Sequence, residues 1–346
     1  MSALFTKGFF VREAAWHGEG VVLADYPGKA EAMRLAGHDW DVIEVPMQGL
    51  FTNAQLAAAG KTVNPDGKGF ARPVKDSVLH VRSDNLFELA AHARSFERIS
   101  NSTAYDVAEL LFDQGFKYEA GVSLDGGKVN ALTLLLDEPI VITGDTTETL
   151  PFGCLGWAHD GSAALKVRSG TIRIVCMNTY NASEAEGKRL GTDFTFRHTK
   201  NVKAKIEDAK KAIKGVREGI EIYREVAEEL AALPVTPEQR DWFVSTIVGD
   251  RDGAISKATN VTQRVKDNVE TERAKINGLF LKAGTEKGTI PEAHKLTGYG
   301  LMLAGGEYFD HLRNSRSKDA YVKRTLLNTS AEKGALRKTI AEAAAV

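Results

Sequence analysis

Residues 116–137 read FKYEAGVSLDGGKVNALTLLLD, and this stretch decides the fold class. Segments 116–124 and 128–137 are rich in aromatic, β-branched and leucine side chains, which is typical of strands. Between them, Asp125-Gly126-Gly127 is a hairpin signal, because glycine tolerates a positive φ. The stretch therefore predicts two antiparallel strands joined by a tight turn.

The predicted hairpin lies between a helix and further strands. Ser102 or Thr103 can cap a helix that ends at Gly115. Strands are predicted at 152–159, 163–167 and 171–177, with a turn at Asp160-Gly161, and a helix rich in small residues is predicted at 178–185. The pattern predicts an α+β fold: an antiparallel β-meander with packed helices, followed by a helical C-terminal region.

We divide the chain into three predicted parts. Residues 1–102 form an N-terminal mixed α/β segment, 103–200 a helix plus antiparallel sheet core, and 201–346 a helical C-terminal region. In the first part, helices are expected at 29–36 and 53–59, and strands at 40–45, ending at Pro46, and 78–82. In the last part, helices are expected at 203–233, from Thr236-Pro237 onward, at 259–283 and at 318–344.

Composition limits the classes of protein. The chain has 346 residues, of which 43% are hydrophobic and 26% charged, as in ordinary globular proteins. Its 45 Lys and Arg residues face 46 Asp and Glu residues, and the net charge of −1 excludes a wholly basic DNA-coating protein. Two cysteines are too few for a disulfide framework. With neither a signal peptide nor a membrane-spanning run expected, we predict a cytoplasmic protein without a membrane partner.

Positive charge is concentrated after the predicted strands. Residues 188–217 contain ten basic and three acidic residues, a local net charge of +7. A solvated helix face with paired charges would explain part of this pattern. The excess instead favours contact with phosphates, since each such contact releases counterions. The predicted nucleic-acid-binding residues are Lys166, Arg168, Arg173, Arg197, His198, Lys200, Lys203, Lys205, Lys210 and Lys214.

Two short motifs allow catalytic interpretations. His159-Asp160-Gly161-Ser162 is either an acid–base pair or a β-turn capped by Asp160. Cys176 is either a nucleophile or a buried thiol, with Asn178 and Thr179 capping a following helix. The metal-ligand candidates His17, His159, His198, His311, Cys176 and Asp310 match no zinc or iron signature. We therefore predict no catalytic residues, no metal and no cofactor.

Five motifs in order resemble a widespread phage- and plasmid-encoded protein family of unassigned function. They are Trp16-His17-Gly18-Glu19-Gly20 (W-H-G-x-G), Ala36-Gly37-His38-Asp39-Trp40 (A-G-L-D-W), the pair His159-Asp160-Gly161-Ser162 and Arg173-Ile174-Val175-Cys176-Met177-Asn178-Thr179 (H-D-G-S…R-x-V-C-x-N-T), Arg197-His198-Thr199 (R-H-T), and Glu307-Tyr308-Phe309-Asp310-His311 (E-Y-x-D-H). The chain departs from the pattern at His38, usually apolar, at Phe96, commonly an aromatic hydroxyl, and at Gly298-Tyr299-Gly300. The resemblance implies an accessory protein often encoded near recombination and replication genes, with no established chemistry.

Three hypotheses follow. The first is a non-enzymatic DNA-binding protein of recombination or replication that binds or anneals single-stranded DNA as a homo-oligomer, with Tyr180, Phe194 or Phe196 stacking on bases and with phage or host recombination and replication proteins as partners. The core from 103 to 187 is similar in outline to phage annealing recombinases, a fold-level analogy. The second is an enzyme whose site gathers His159, Asp160, Cys176, Asn178, Arg197 and His198. The third is an anti-defence protein that blocks a host complex through its C-terminal helices.

Overall fold

The computed structural model describes residues 5–12, 19–63, 70–173, 178–181, 193–198, 217–218, 220–281, 289–313 and 335–346. Its strands are β1 (Phe5–Val11), β2 (Val21–Leu23), β3 (Val42–Phe51), β4 (Phe70–Arg82), β5 (Glu88–Ala93), β6 (Phe116–Leu124), β7 (Val129–Leu136), β8 (Thr149–Ala158), β9 (Leu165–Arg173), β10 (Asn178–Asn181) and β11 (Asp193–Phe196). Its α-helices are α1 (Lys29–Ala36), α2 (Asn53–Ala58), α3 (Asn101–Phe112), α4 (220–232), α5 (Pro237–Ile247), α6 (Gln263–Leu279), α7 (Gly298–Glu307) and α8 (Leu336–Ala344). The predicted α+β class is confirmed.

The larger sheet has the strand order β10-β9-β8-β7-β6-β1-β2, and β11 also pairs with β9. Strands β6 to β9 form the predicted antiparallel meander. The hairpin between β6 and β7 turns at 125–127, where Gly126 and Gly127 have φ values of 68° and 100°. Strands β10 and β11 pair with opposite ends of β9, so that β9 lies between β8 on one side and these two short strands on the other.

Two predictions about this end of the sheet are wrong. The strands predicted at 163–167 and 171–177 are one strand, β9, as far as Arg173, because Ser169 and Gly170 pair with Gly153 and Phe152 of β8. The helix predicted at 178–185 begins instead as β10, paired with β9, so Asn178 and Thr179 are not helix caps. A ladder with a neighbouring strand outweighs the local preference of small polar residues for turns and caps. Residues 174–177 and 182–185 lie outside the described part of the chain.

The N-terminal residues contribute to both sheets. Strand β1 pairs antiparallel with β6, and β2 pairs parallel with β1, so the first residues extend the meander. Strands β3, β4 and β5 form a separate three-stranded sheet. The prediction that the first strand of this region stops at Pro46 is wrong, since β3 continues to Phe51 through a register shift between Pro46 and Gln48. Proline is tolerated there because β3 is an edge strand and needs no outward N–H bond.

Helix α3 packs on one face of the larger sheet. It is capped by the Ser100 side chain, two to three residues before the predicted caps, and it buries Tyr105, Ala108 and Leu111. These side chains belong to one core with Leu132 and Leu155 of the sheet. Full burial of each large apolar side chain contributes roughly 1.5–3 kcal/mol, so this face holds the helix in place.

The C-terminal helices share the same core. Helix α5 has Thr236 as its N-cap in a capping box with Gln239, and Pro237 in its first turn, as predicted. The region is tied to the sheet by the buried Tyr299 of α7, whose hydroxyl donates to Asp145 Oδ2 at 3.2 Å. A π-helical turn, Tyr308–Leu312, follows α7. Among the described helices, none combines the length and apolar character needed to cross a bilayer.

Candidate functional site

Three of the predicted nucleic-acid-binding residues lie on one strand, β9. Lys166 and Arg168 are two positions apart, so their side chains share one face of the sheet. The intervening Val167 and the preceding Leu165 are buried in the main core, whereas Lys166 and Arg168 are partly exposed. The third, Arg173, ends the strand. The structure thus places two cations side by side on the face opposite the α3 core.

Strand β11 brings a fourth basic residue close to this face. It pairs with the first half of β9, with Thr195 opposite Lys166 and Asp193 opposite Arg168. Arg197 follows the last residue of β11 and is exposed. The backbone pairing places one acidic position of the basic segment across from Arg168.

The remaining cations of the predicted set lie outside the described residues: Lys200, Lys203, Lys205, Lys210 and Lys214. Arg217, the last residue of the basic segment, is described. Its guanidinium donates to the carbonyl oxygen of Gln114 at 2.6 Å and lies 3.7 Å from a carboxylate oxygen of Glu138. This end of the segment is therefore fixed at the end of α3 and the beginning of the loop after β7.

The ring of His198 contacts one aromatic ring and two backbone carbonyl groups. Its ring stacks on Phe96 with centroids 4.4 Å apart, and Nδ1 and Nε2 lie 2.9 and 3.2 Å from the carbonyl oxygens of Glu97 and Ala163. On its other face, Phe96 stacks on His92 at 3.9 Å. His198 thus joins the residues after β11 to those after β5, and its ring nitrogens are engaged by backbone rather than free for a phosphate.

A separate, buried cluster of side chains forms around Asn101. The amide of Asn101 donates from Nδ2 to the carbonyl oxygens of His38 and Trp40, at 3.1 and 3.2 Å. Its Oδ1 accepts from Trp157 Nε1 at 3.0 Å and from His159 Nε2 at 2.9 Å. All five residues are at most 5% exposed. We call Asn101, His38, Trp40, Trp157 and His159 the Asn101 cluster.

The histidines of this cluster are neutral. Burial lowers the pKa of His38 to about 3, and burial together with neighbouring His38 lowers the pKa of His159 to about 3. His38 Nε2 donates to the Val122 carbonyl at 3.1 Å, which leaves Nδ1 to accept from the Tyr105 hydroxyl at 3.2 Å. A neutral imidazole has one donor and one acceptor nitrogen, and both nitrogens of His38 have a partner here.

His80 and His92 lie side by side on the three-stranded sheet, and His92 contacts the Asn101 cluster. His80 is 1% exposed, and its ring lies 4.9 Å from that of His92 and 5.9 Å from that of Phe96. Burial, followed by the neighbouring His92, lowers its pKa to about 4. His92 Nε2 in turn lies 2.9 Å from the carbonyl oxygen of His159. The rings of His80, His92, Phe96 and His198 therefore form a continuous row, which we call the ring layer. The bond from His92 joins this layer to the backbone at the turn after β8.

The turn after β8 has the geometry of a capped turn rather than of a catalytic pair. Asp160 Oδ1 accepts from the backbone N–H of Ser162 at 2.9 Å, and Gly161 has a φ of 77°. His159 is directed instead to Asn101. The Asp160 carboxylate is thus used locally, and the His159 ring is buried and uncharged. Cys176, the other catalytic candidate, lies outside the described residues, as does His17.

Sequence reasoning missed Asn101, His80 and His92. Asn101 lies among several residues that could each cap a helix. Once Ser100 is known to be the cap, Asn101 becomes the first helical residue, whose side chain is buried. His80 and His92 lie on neighbouring strands, and a paired reading of 78–82 with 88–93 could have placed them together. Among the residues that the structure describes, no group of three or more His, Cys, Asp or Glu side chains is arranged to hold a metal ion.

Three of the sequence motifs meet in this region. His38 and Trp40 of the second motif, His159 of the third and His198 of the fourth lie in or directly beside the ring layer. A family model described as "Domain of unknown function" matches residues 88–331, about 70% of the chain. No curated protein and no solved structure matches the chain significantly. On the strength of the family match, the chain belongs to the DUF932 family of unassigned function.

Proposed function

We propose that the protein is a non-enzymatic accessory factor, encoded by a phage or plasmid, that binds nucleic acid in the bacterial cytoplasm. The observation that carries the proposal is the placement of Lys166 and Arg168 on one face of β9, with the exposed Arg197 at the end of the adjacent β11. Single-stranded DNA is the proposed ligand, and recombination or replication proteins of phage or host are the proposed partners, as the resemblance of the motifs implies.

The spacing on β9 supports a contact with a nucleic-acid backbone. Residues two apart on a strand are separated by roughly 7 Å, and the strand holds both cations in a fixed row. A row of cations on a rigid strand suits an extended polyanion, because the strand fixes the spacing of the cations and released counterions drive the association. Asp193, opposite Arg168, reduces but does not cancel the charge of this row together with Arg197.

The chemistry of the Asn101 cluster supports a role without catalysis. A general base must reach the substrate and hold a pKa near the working pH. His38 and His159 are buried, and their pKa values of about 3 make them too weak as bases. Both ring nitrogens of His38 and Nε2 of His159 are hydrogen-bonded within the protein. The cluster acts as a support that positions the turn after β8 and, through it, the start of β9.

The experiment compares two triple variants by fluorescence anisotropy with a labelled single strand. The test variant carries Lys166→Gln, Arg168→Gln and Arg197→Gln. The control carries Arg34→Gln, Arg224→Gln and Lys338→Gln, three exposed residues on α1, α4 and α8 whose surface ion pairs contribute little to stability. Both remove the same charge, so the comparison separates a local surface from the field of the whole molecule.

The test variant should bind at least about tenfold more weakly than the control at low salt. Its plot of log affinity against log salt should be shallower by about two, since each lost contact with a single strand removes roughly 0.7 from the slope. Equal affinities and equal slopes for the two triple variants would remove the basis of the proposal.

A further inference from the structure

One part of the protein contributes no residue to the hydrophobic core clusters of the described chain. It consists of the far half of β3 (46–51), the helix α2, and the first half of β4 (70–76); we call it the arm. Except for Met47, Gly49, Asn53 and Leu56, its residues are exposed, on both faces of the ribbon. Helix α2 buries no residue. A two-stranded ribbon of this kind is only marginally stable in water, so it gains stability from a partner.

The exposed surface of the arm is apolar. Leu50 is 70% exposed, Phe70 53% and Phe51 40%, and Phe51 lies directly opposite Phe70 in the ladder. Val74, on the same ribbon, is 37% exposed. Phe51 and Phe70 share one face of the ribbon and Leu50 lies on the other. Isolated exposed apolar residues are ordinary, but large apolar side chains on both faces of one exposed element are typical of a protein–protein contact.

The outer edge of β3 is available for pairing with another strand. In the described residues, β3 is the outermost strand of its sheet, with β4 on its other side. Its N–H and C=O groups along that edge can pair with another extended strand. Pro46 and the register shift beside it protect the first half of the edge, whereas the stretch from Gln48 to Phe51 has neither a charge nor a proline.

We infer that two copies of the chain associate through this arm, with the 48–51 edges paired antiparallel about a two-fold axis. About such an axis the segment faces itself in reverse, with residue i of one copy opposite residue j of the other and j opposite i, and like charges facing each other would oppose the pairing. Residues 46–51 contain no charged side chain, so the edge is compatible with itself. The exposed area of Leu50, Phe51, Phe70 and Val74 is roughly 350 Å² in each copy, and the strand backbones add to it, so the contact has the size of a weak dimer interface.

A nucleic acid fits this surface less well than a second copy. Within the described strands of the arm, the basic residues are Arg72 and Lys75, and Asp76 follows them directly. Phosphate contacts need a concentration of positive charge, and the arm offers mainly leucine, phenylalanine and valine. The inference concerns the self-association expected from the sequence and does not rest on DNA binding.

The first test is sedimentation equilibrium of the full chain over a wide range of concentration. The wild type should dimerise. Phe51→Glu combined with Phe70→Glu should weaken dimerisation at least about tenfold, because two carboxylates would have to be desolvated in the contact. The control combines Val141→Glu with Leu281→Glu, which are 60% and 55% exposed outside the arm, and should dimerise like the wild type. A monomeric wild type, or an arm variant that dimerises normally, overturns the inference.

Circular dichroism establishes whether the arm variant is folded, and a second measurement avoids that variant altogether. Single cysteines placed by Gln48→Cys, Gly49→Cys and Leu50→Cys are oxidised in turn, with the wild type treated in the same way as the control for Cys154 and Cys176. At least one should form a disulfide-linked dimer absent from the wild type, because cross-strand Cα atoms near the axis lie within disulfide range. Absence of the cross-link from all three overturns the inference.

The outcomes separate this inference from the proposed function. An arm variant that is monomeric and still binds single-stranded DNA supports the dimer contact, whether or not the β9 row is the DNA site. An arm variant that loses DNA binding while the wild type is monomeric assigns the arm to nucleic acid instead, and overturns the dimer.

Discussion

His159 donates a hydrogen bond from Nε2 to Oδ1 of Asn101 across 2.9 Å, although 58 positions separate the two residues in the chain. The orientation of the amide is fixed, because its Nδ2 lies beside two carbonyl oxygens and Oδ1 also accepts from Trp157. The imidazole must therefore be the donor. This one amide joins the loop after α1, the first turn of α3 and the end of β8.

Replacing Asn101 tests whether this amide holds the region together. Asn101→Ala should lower the free energy of unfolding by about 2–4 kcal/mol, because buried donors and acceptors lose their partners at once. The measurement is urea unfolding monitored by tryptophan fluorescence. Asn268→Ala, at an exposed position of α6, is the matched control and should change stability by less than about 0.5 kcal/mol. Equal effects of the two substitutions would contradict the assigned role.

Stability should fall as the pH decreases from about 6.5 toward 3. The pKa values of His38 and His159 in the folded protein are about 3, below the value of about 6.5 for an exposed histidine. In this window the unfolded chain binds protons that the folded protein does not, so acid favours unfolding. Each such histidine should contribute a slope of up to about 1.4 kcal/mol per pH unit. Urea unfolding at several pH values measures the slope, and a flat profile between pH 6.5 and 5 would contradict it.

His80 offers a variant that separates one histidine from the others. Its Nε2 is buried without a hydrogen bond in the described structure, and lies 3.8 Å from a carboxylate oxygen of Glu44. His80→Phe should keep stability at pH 7 within about 1.5 kcal/mol, since the ring shape is similar. It should also make the stability profile shallower above pH 4, because the pKa of His80, about 4, no longer contributes. An unchanged slope would show that His80 is not a source of the acid sensitivity.

Two glycines with positive φ allow a matched test of packing. At Gly127, φ is 100° and an added Cβ would lie 2.6 Å from Cζ2 of Trp40. At Gly60, φ is 63° and no atom lies within 4 Å of an added Cβ. Gly60→Ala should cost about 1 kcal/mol for the backbone alone, and Gly127→Ala should cost at least about 2 kcal/mol more. Thermal unfolding of both variants checks this, and similar losses would contradict the close packing of Trp40 on the hairpin.

The contact between Tyr299 and Asp145 should stabilise the junction of sheet and C-terminal helices. Tyr299→Phe removes one donor from a buried carboxylate while keeping the ring, and should cost about 1–3 kcal/mol. Tyr26→Phe is the control: its hydroxyl accepts from Arg12 in an exposed position, and the loss should stay below about 1 kcal/mol. Urea unfolding of both variants gives the comparison, and a Tyr299→Phe protein as stable as the wild type would contradict the role of the contact.

The features that sequence predicts well here are local. The β6–β7 hairpin follows from Asp125-Gly126-Gly127, and the start of α5 follows from Thr236 and Pro237, because the residues that determine them are adjacent in the chain. The pairing of β1 with β6 joins Phe9 to Gly121, and no pattern in the sequence near either residue predicts it. Likewise, Ser169 and Gly170 suggest a break, and only the ladder with β8 keeps them in one strand.

The candidate site shows the same limit. Lys166 and Arg168 can be placed on one strand face from their spacing alone, but not Asp193 opposite Arg168, which depends on the long-range pairing of β11. The motif resemblance leads to the expectation of an apolar residue at position 38, and the burial of His38 is explained only by Tyr105 and Val122 beside it. Phe96, at the other departure, is an apolar ring between His92 and His198.

The most direct test of the central claim is the affinity of the wild-type chain for a labelled single strand of DNA, measured by anisotropy at about 50 and 200 mM salt. Binding at the lower concentration that weakens by at least about tenfold at the higher one is the predicted result. No binding at the lower concentration, or an affinity that does not respond to salt, would contradict it.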